Sequence, residues 1–258
     1  MAASTREVRK VVTVVFSDLT GSTELGERLD LESLRTLLDR YFATMSQVLK
    51  RHGGSVEKFI GDAVMAVFGV PVLHEDDALR AVRAAVEMAD AMTSLADEFA
   101  TSWGVRPSVR IGVSTGEILA GDSAGRGRLA TGDAVNVSAR LEAAAQAGQV
   151  VISRDTYRLV SNAVDVETLS PLRLKGKSEQ MPAYRVLRVS DRSEGLARRL
   201  DAPLVWRERD IAALRAVYGQ VLAGHTLRRA VVVGMAGIGK SRLVAEFLAL
   251  LGAQATVL

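Results

Sequence analysis

Two aspartates set the chemistry to consider. Asp18, in VVTVVFSDLTGST, and Asp62, in VEKFIGDAVMAVFG, each stand at or just beyond the end of an apolar run. A strand pattern places both where paired carboxylates can hold a divalent metal. Hard cations of the magnesium type combine carboxylates with phosphate oxygens in octahedral geometry. Two such ions bridged by acids can activate an attacking oxygen while neutralising a leaving pyrophosphate. That is triphosphate chemistry. Each aspartate also has a plain structural reading, Asp62 as a turn residue and Asp18 as a helix-start residue. Their occurrence together with the groups below favours metal.

Asn136 and Arg140 stand four residues apart in GDAVNVSARLE, so a helix presents both on one face. An amide can fix a sugar oxygen, and a guanidinium offers a rigid fork of donors to phosphoryl oxygens as charge builds on them. Alone, the pair reads equally as a solvated polar stripe. Lys58, four residues before Asp62, can donate to a base or simply lie in solvent. Lys175 and Lys177, in LRLKGKSE, can close over a triphosphate or serve as ordinary hairpin residues. Further along, GMAGIGKS spans residues 234–241. Its Gly234, Gly237 and Gly239 free backbone amides to cradle phosphates, Lys240 reaches the β and γ groups, and Ser241 holds magnesium.

The elements that must position these groups follow from periodicity. Residues 10–16 form a β-branched run, read as a buried strand delivering Asp18 to its carboxyl end. The turn after it carries Ser22 or Thr23 as a helix cap. Residues 31–51 place apolar side chains at three-and-four spacing, a helix with one buried face that HGG stops. Two strands, 56–60 and 63–68, flank Gly61-Asp62 as a tight hairpin with the aspartate at its tip. A long alanine-rich helix is expected over 74–99, and a strand pair, 108–114 and 117–120, around Thr115-Gly116. A loop follows over 121–127 and a helix over 133–145. A strand at 150–152, a short helix to 160, and strands near 164–166 and 183–189 complete a mixed sheet covered by helices. Residues 190–200 are polar and read as a linker. Beyond it the pattern restarts with a helix over 210–222, a strand over 229–233 leading into GMAGIGKS, and a helix over 242–251. Only eighteen residues follow Lys240. The expectation is therefore the first part of a nucleotide-binding domain, without a Walker B aspartate and without hydrolysis.

Composition narrows the rest. With 48% apolar and 24% charged residues the chain has the makings of an ordinary globular core. A net charge of +3 suits anionic ligands but is too small to indicate nucleic acid, and no aromatic stripe is interleaved with the arginines. The absence of cysteine excludes disulfides and thiolate metal sites, and His52, His74 and His225 are too scattered for zinc. A metal here is a hard cation held by oxygen. No stretch is long and apolar enough to span a membrane, and the N-terminus lacks a signal-peptide core, so a cytoplasmic protein is expected.

From about residue 9 to 189 the chain resembles the class III nucleotide cyclase catalytic domain of adenylyl and guanylyl cyclases. FSDLTGST, EKFIGDAVMAVFG, GDAVNVSARLE and LKGK occur in that family's order. The resemblance implies an α+β fold, a ferredoxin-like βαββαβ sandwich that dimerises head to tail with catalytic sites at the homodimer interface. It implies that Asp18 and Asp62 hold two magnesium or manganese ions per site. The backbone of Leu19, Thr20, Gly21, Ser22 and Thr23 would cradle the triphosphate. Asn136 would orient the ribose, Arg140 would stabilise the transition state, Lys58 would read the purine, and Lys177, with Lys175, would bind phosphate. One protomer would supply Asp18 and Asp62, the other Lys58, Asn136 and Arg140, so a monomer would be inactive.

One position departs from the pattern. The polar residue that reads the base beside the lysine, usually aspartate for adenine, is Leu129 here, which neither donates nor accepts. Conversion of ATP to 3′,5′-cyclic AMP and pyrophosphate is the expected reaction, at a low rate and with weakened base discrimination. The alternatives are a nucleotide-sensing or dimerising regulatory domain and a guanylyl cyclase. LVWRERDIAAL resembles the entry to signal-transducing ATPases fused behind such cyclases. The expected organisation is a cyclase domain over 1–190, a linker over 191–203 and the start of an α/β P-loop NTPase domain over 204–258.

Overall fold

A computed structural model describes residues 8–122, 128–173, 180–190, 207–234, 238–252 and 255. The chain divides into two compact units, residues 1–197 and 198–258.

In the first unit the β-branched run is longer than its apolar core suggests: β1 spans Val8–Thr20, so Asp18 lies within the strand. Pairing explains the extension. Along its whole length β1 is laddered to β4 (Ser108–Asp122), from Val8 opposite Ala120 to Thr20 opposite Ser108. The same ladder corrects the expected strand pair at 108–120. Gly116 sits opposite Val12 and Thr115 opposite Thr13, so Thr115-Gly116 continues a single strand where an isolated sequence reads as a turn.

Gly21, with φ of 76°, turns the chain out of β1 into α1 (Ser22–Arg28). Gly21 itself is the N-cap, without a side-chain cap, so neither Ser22 nor Thr23 has the capping role expected of it. Helix α2 (Leu31–Arg51) is capped by Asp30, whose carboxylate accepts the Ser33 N–H at 2.8 Å. It is followed by β2 (Ser55–Ile60) and β3 (Ala63–Phe68), joined through Gly61-Asp62 as expected. Helix α3 runs Asp77–Trp103, later at both ends than the sequence suggests. Asp77 accepts the His74 N–H at 2.8 Å and holds residues 74–76 outside the helix, while Gly104, with φ of 66°, ends it beyond Trp103.

The remaining elements are β5 (Arg128–Thr131), α4 (Asp133–Ala144), β6 (Val150–Ser153), α5 (Arg154–Val160), β7 (Val164–Thr168), β8 (Leu172–Arg173), β9 (Gln180–Met181) and β10 (Ala183–Val189). Residues 121–122 of the expected loop belong to β4, and β5 was not foreseen. The sheet order is β2-β3-β1-β4-β6-β10-β7, with β5 folded back on β4. Helices α2, α3 and α5 cover one face over the main core, which includes Tyr41, Met45, Phe68, Met88 and Phe99. Helix α4 covers the other, over Val12, Val14, Met65 and Ile118 at one end and Val151 at the other. The mixed α/β sandwich expected is the one found.

In the second unit α6 (Glu208–Gly224) and α7 (Lys240–Leu251) are helical, and Tyr218 meets Phe247 edge-on at 6.3 Å. The strand expected over 229–233 does not form. Val231 is 70% and Val233 88% exposed. A β-branched run makes a strand only with a neighbour to pair with, and none is present among the described residues of this unit.

Candidate functional site

Asp18 and Asp62 reach one end of the sheet by independent routes. The β1–β3 ladder ends with Ser17 opposite Val64, so Asp18 and the hairpin tip carrying Asp62 emerge side by side at its end. Gly61, with φ of 62°, makes the tight turn that puts Asp62 there. Both carboxylates are half-buried.

Directly across the ladder from Asp18 stands Arg110. Its Nη2 donates to Asp18 Oδ2 at 2.6 Å, and its Nε lies 3.1 Å from Oε1 of Glu142 on α4. The latter is an ion contact without an aligned hydrogen bond, since neither atom has a hydrogen-bond partner. The bond to Asp18 pushes the guanidinium's proton affinity further up, against the cost of its partial burial. Burial pushes the Glu142 carboxyl up to about 7. Arg110 pulls it down, and Asp18 and Asp62 add to the rise. Tyr41, whose hydroxyl lies 3.4 Å from Ser17 Oγ, is raised mainly by burial. Sequence reading missed Arg110 and Glu142. The available signal was a lone arginine inside the apolar strand VRIGV, and a glutamate closing the apolar face of SARLE.

Helix α4 is seated by two glycines. A Cβ on Gly112 would lie 2.0 Å from the Ser138 carbonyl oxygen and 2.4 Å from the Glu142 nitrogen. One on Gly132 would lie 2.5 Å from the Glu117 carbonyl oxygen. With Ala134, Val137, Ser138 and Leu141 buried against the sheet, Asn136 stands exposed and Arg140 half-exposed. Among the described residues neither has a hydrogen-bond or ion-pair partner, so the protomer does not join them to Asp18 or Asp62. Lys58 is exposed on β2, next to a bulge. Parts of β5 lie within 8 Å, Cα to Cα, of β2, which brings the strand bearing Leu129 beside that bearing Lys58.

Leu19 and Thr20 end β1, Gly21 turns, and Ser22 and Thr23 begin α1. Leu129 and Thr23 are described by backbone alone, and Lys175, Lys177 and Gly237 lie outside the described residues. In the second unit Gly239, with φ of 88°, is the N-cap of α7. Lys240 Nζ donates to the Gly234 carbonyl at 3.1 Å, and Arg207 Nη2 to that of Ile238 at 2.8 Å.

Among the described residues no three His, Cys, Asp or Glu side chains converge as a metal cage. Two carboxylates, with one oxygen of Asp18 engaged by Arg110, fit a hard cation that completes its shell with phosphate oxygens and water. Among the same residues no helix is long and apolar enough to cross a membrane.

Comparison with known proteins matches residues 5–187 to the adenylate and guanylate cyclase catalytic domain and residues 203–258 to the AAA ATPase domain. An uncharacterized protein of Rhizobium meliloti is 29% identical over 244 residues, 92% of this chain and 23% of that one. The curated relatives are long proteins, of which this chain spans 9–39%. Among solved structures, the adenylyl cyclase CyaB of P. aeruginosa superposes with a TM-score of 0.69 at 32% identity, covering 73% of this chain and 100% of that one. The guanylyl cyclase Cya2 superposes with a TM-score of 0.64 at 31% identity, covering 74% and 98%.

Proposed function

We infer from the chain's family, the class III adenylate and guanylate cyclase catalytic domains to which it belongs through residues 5–187, that it cyclises ATP at sites shared by two copies. The observation that carries this reading is the split between two groups of side chains. Asp18 and Asp62 converge at one sheet end, whereas the side chains of Asn136 and Arg140, on α4, have no hydrogen-bond or ion-pair partner among the described residues. A second copy would bring the two sets together.

Asp18 and Asp62 would hold two magnesium or manganese ions, which when bound would lower the pKa of the ribose hydroxyl and neutralise phosphate charge. In this reading the 3′ oxygen attacks the α-phosphorus, the bond to the β-phosphate breaks, and pyrophosphate leaves. Asn136 fixes the ribose, and Arg140 meets the charge that develops on the phosphoryl oxygens. The turn from Leu19 to Thr23, with Lys177 and Lys175, holds the triphosphate. Lys58 contacts the purine. No side chain is assigned as general base. The cyclase domain would occupy residues 1–190, with a linker over 191–203 and a nucleotide-binding P-loop, built on Gly234, Gly237, Gly239, Lys240 and Ser241, in the part that follows.

Leu129 favours a second reading, a domain that keeps the fold and binds nucleotide without turning it over, or one that takes GTP. The deciding experiment follows cyclic nucleotide formed from ATP and from GTP, with manganese and with magnesium, over a wide range of protein concentration. Cyclic AMP rising faster than linearly with protein is expected. Cyclic GMP alone would change the substrate, and no cyclic product from protein shown to dimerise would make the domain regulatory.

A further inference from the structure

Around Arg110 stand three acids, Asp18, Asp62 and Glu142, whose charges act on one another and on the guanidinium. Arg110 cannot lose its proton, so it is a permanent cation at the place where a divalent cation is wanted. Its contact with Asp18 is built into the sheet, because the two are direct cross-strand partners in the β1–β4 ladder. The Arg110 side chain is 31% and the Asp18 side chain 22% exposed, so screening by solvent is only partial. The Glu142 side chain, 8% exposed, offers the same guanidinium a second carboxyl partner at its Nε, on a helix held against the strand by Gly112.

We propose that Arg110 is an internal counter-cation that guards Asp18 against metal, and that Glu142 is the positioning residue that takes the guanidinium over when a metal enters. The inference rests on the reading of Asp18 and Asp62 as the metal-holding acids. A dication beside Asp18 repels the guanidinium, which then turns from Asp18 Oδ2 toward Glu142. The ion contact there already exists at 3.1 Å but lacks hydrogen-bond alignment, which leaves a better geometry for it to take up. Bare metal thus competes with Arg110. A metal arriving with a triphosphate gains phosphate ligands that offset the lost pair, so the site loads metal and nucleotide together.

The test uses manganese chloride alone, without nucleotide, added to the whole chain at pH 8, with free ion read by electron paramagnetic resonance. Arg110→Gln should lower the manganese Kd at least tenfold, and Arg110→Met, which keeps the apolar stem, should do the same if the first variant folds poorly. Glu142→Gln should weaken manganese binding in the native background and leave it unchanged in the Arg110→Gln background. An unchanged or weaker Kd in both folded Arg110 variants overturns the guard. Equal weakening by Glu142→Gln in both backgrounds marks a simple charge effect and overturns its positioning role. Asp18→Asn is the control: its loss of manganese binding keeps the metal reading intact whatever Arg110 does, whereas binding that ignores it removes that reading and this inference together.

Discussion

Glu142 is an acid placed where its charge is costly. Its carboxyl, raised to about 7 from a usual 4.5, is protonated in the folded chain over a range where the unfolded chain has released the proton. The stabilisation this gives is fully present below about pH 4.5 and is lost as pH rises through about 7. Glu142→Gln removes that dependence. In metal-free protein the stability of the variant relative to the native chain should therefore rise by roughly 2–3 kcal/mol between pH 4.5 and 8. Urea unfolding at the two extremes measures it, and a difference independent of pH would show that the group ionises normally. Leu129 makes the opposite kind of prediction, about a group that is missing. An aspartate there supplies an acceptor for the exocyclic amine of adenine and repels the carbonyl of guanine. Leu129→Asp should raise the ratio of kcat/KM for ATP over GTP about tenfold or more. Competition between the two nucleotides reads this directly, and an unchanged ratio would remove position 129 from base selection.

At the scale of elements, the distance between α4 and β4 governs where Asn136 and Arg140 stand. Gly112 sets that distance, because a Cβ there would meet the backbone of Ser138 and Glu142 rather than a yielding side chain. Gly112→Ala should destabilise the cyclase unit by about 3 kcal/mol and lower kcat more than it raises KM, since the helix carrying Arg140, the proposed transition-state arginine, is pushed outward. Thermal unfolding and steady-state kinetics together check it. Most elements of the first unit were legible because their periodicity coincides with burial, as in α2 and the β2–β3 hairpin. Errors arose where a long-range partner decides the outcome. Thr115-Gly116 looks like a turn until β1 lies alongside, and residues 229–233 look like a strand but have no described neighbour to pair with. The same limit applies to the candidate site. Asp18 and Asp62 were readable from their own surroundings. Arg110 was not, because its importance comes from a cross-strand neighbour 92 residues earlier in the chain.

At the scale of the molecule, the two halves of the proposed site are not joined by any contact among the described residues of one protomer, and this has a consequence that single variants cannot show. Asp18→Ala should abolish turnover by removing a proposed metal ligand, and Arg140→Ala by removing the charge proposed to meet the transition state. Each homodimer then carries two defective sites. In a heterodimer of the two, one site combines both lesions while the other draws its aspartates from the Arg140→Ala chain and its arginine from the Asp18→Ala chain. That second site is intact. Random pairing of equal amounts makes half the dimers heterodimers, each with one working site, so the mixture should recover about a quarter of native activity. Sites contained within a single chain would recover nothing on mixing, even with heterodimers demonstrated by differential tagging. The recovered activity should fall on dilution with the same concentration dependence as native turnover, its ratio to native activity staying constant, because loss of the interface disassembles both kinds of dimer alike.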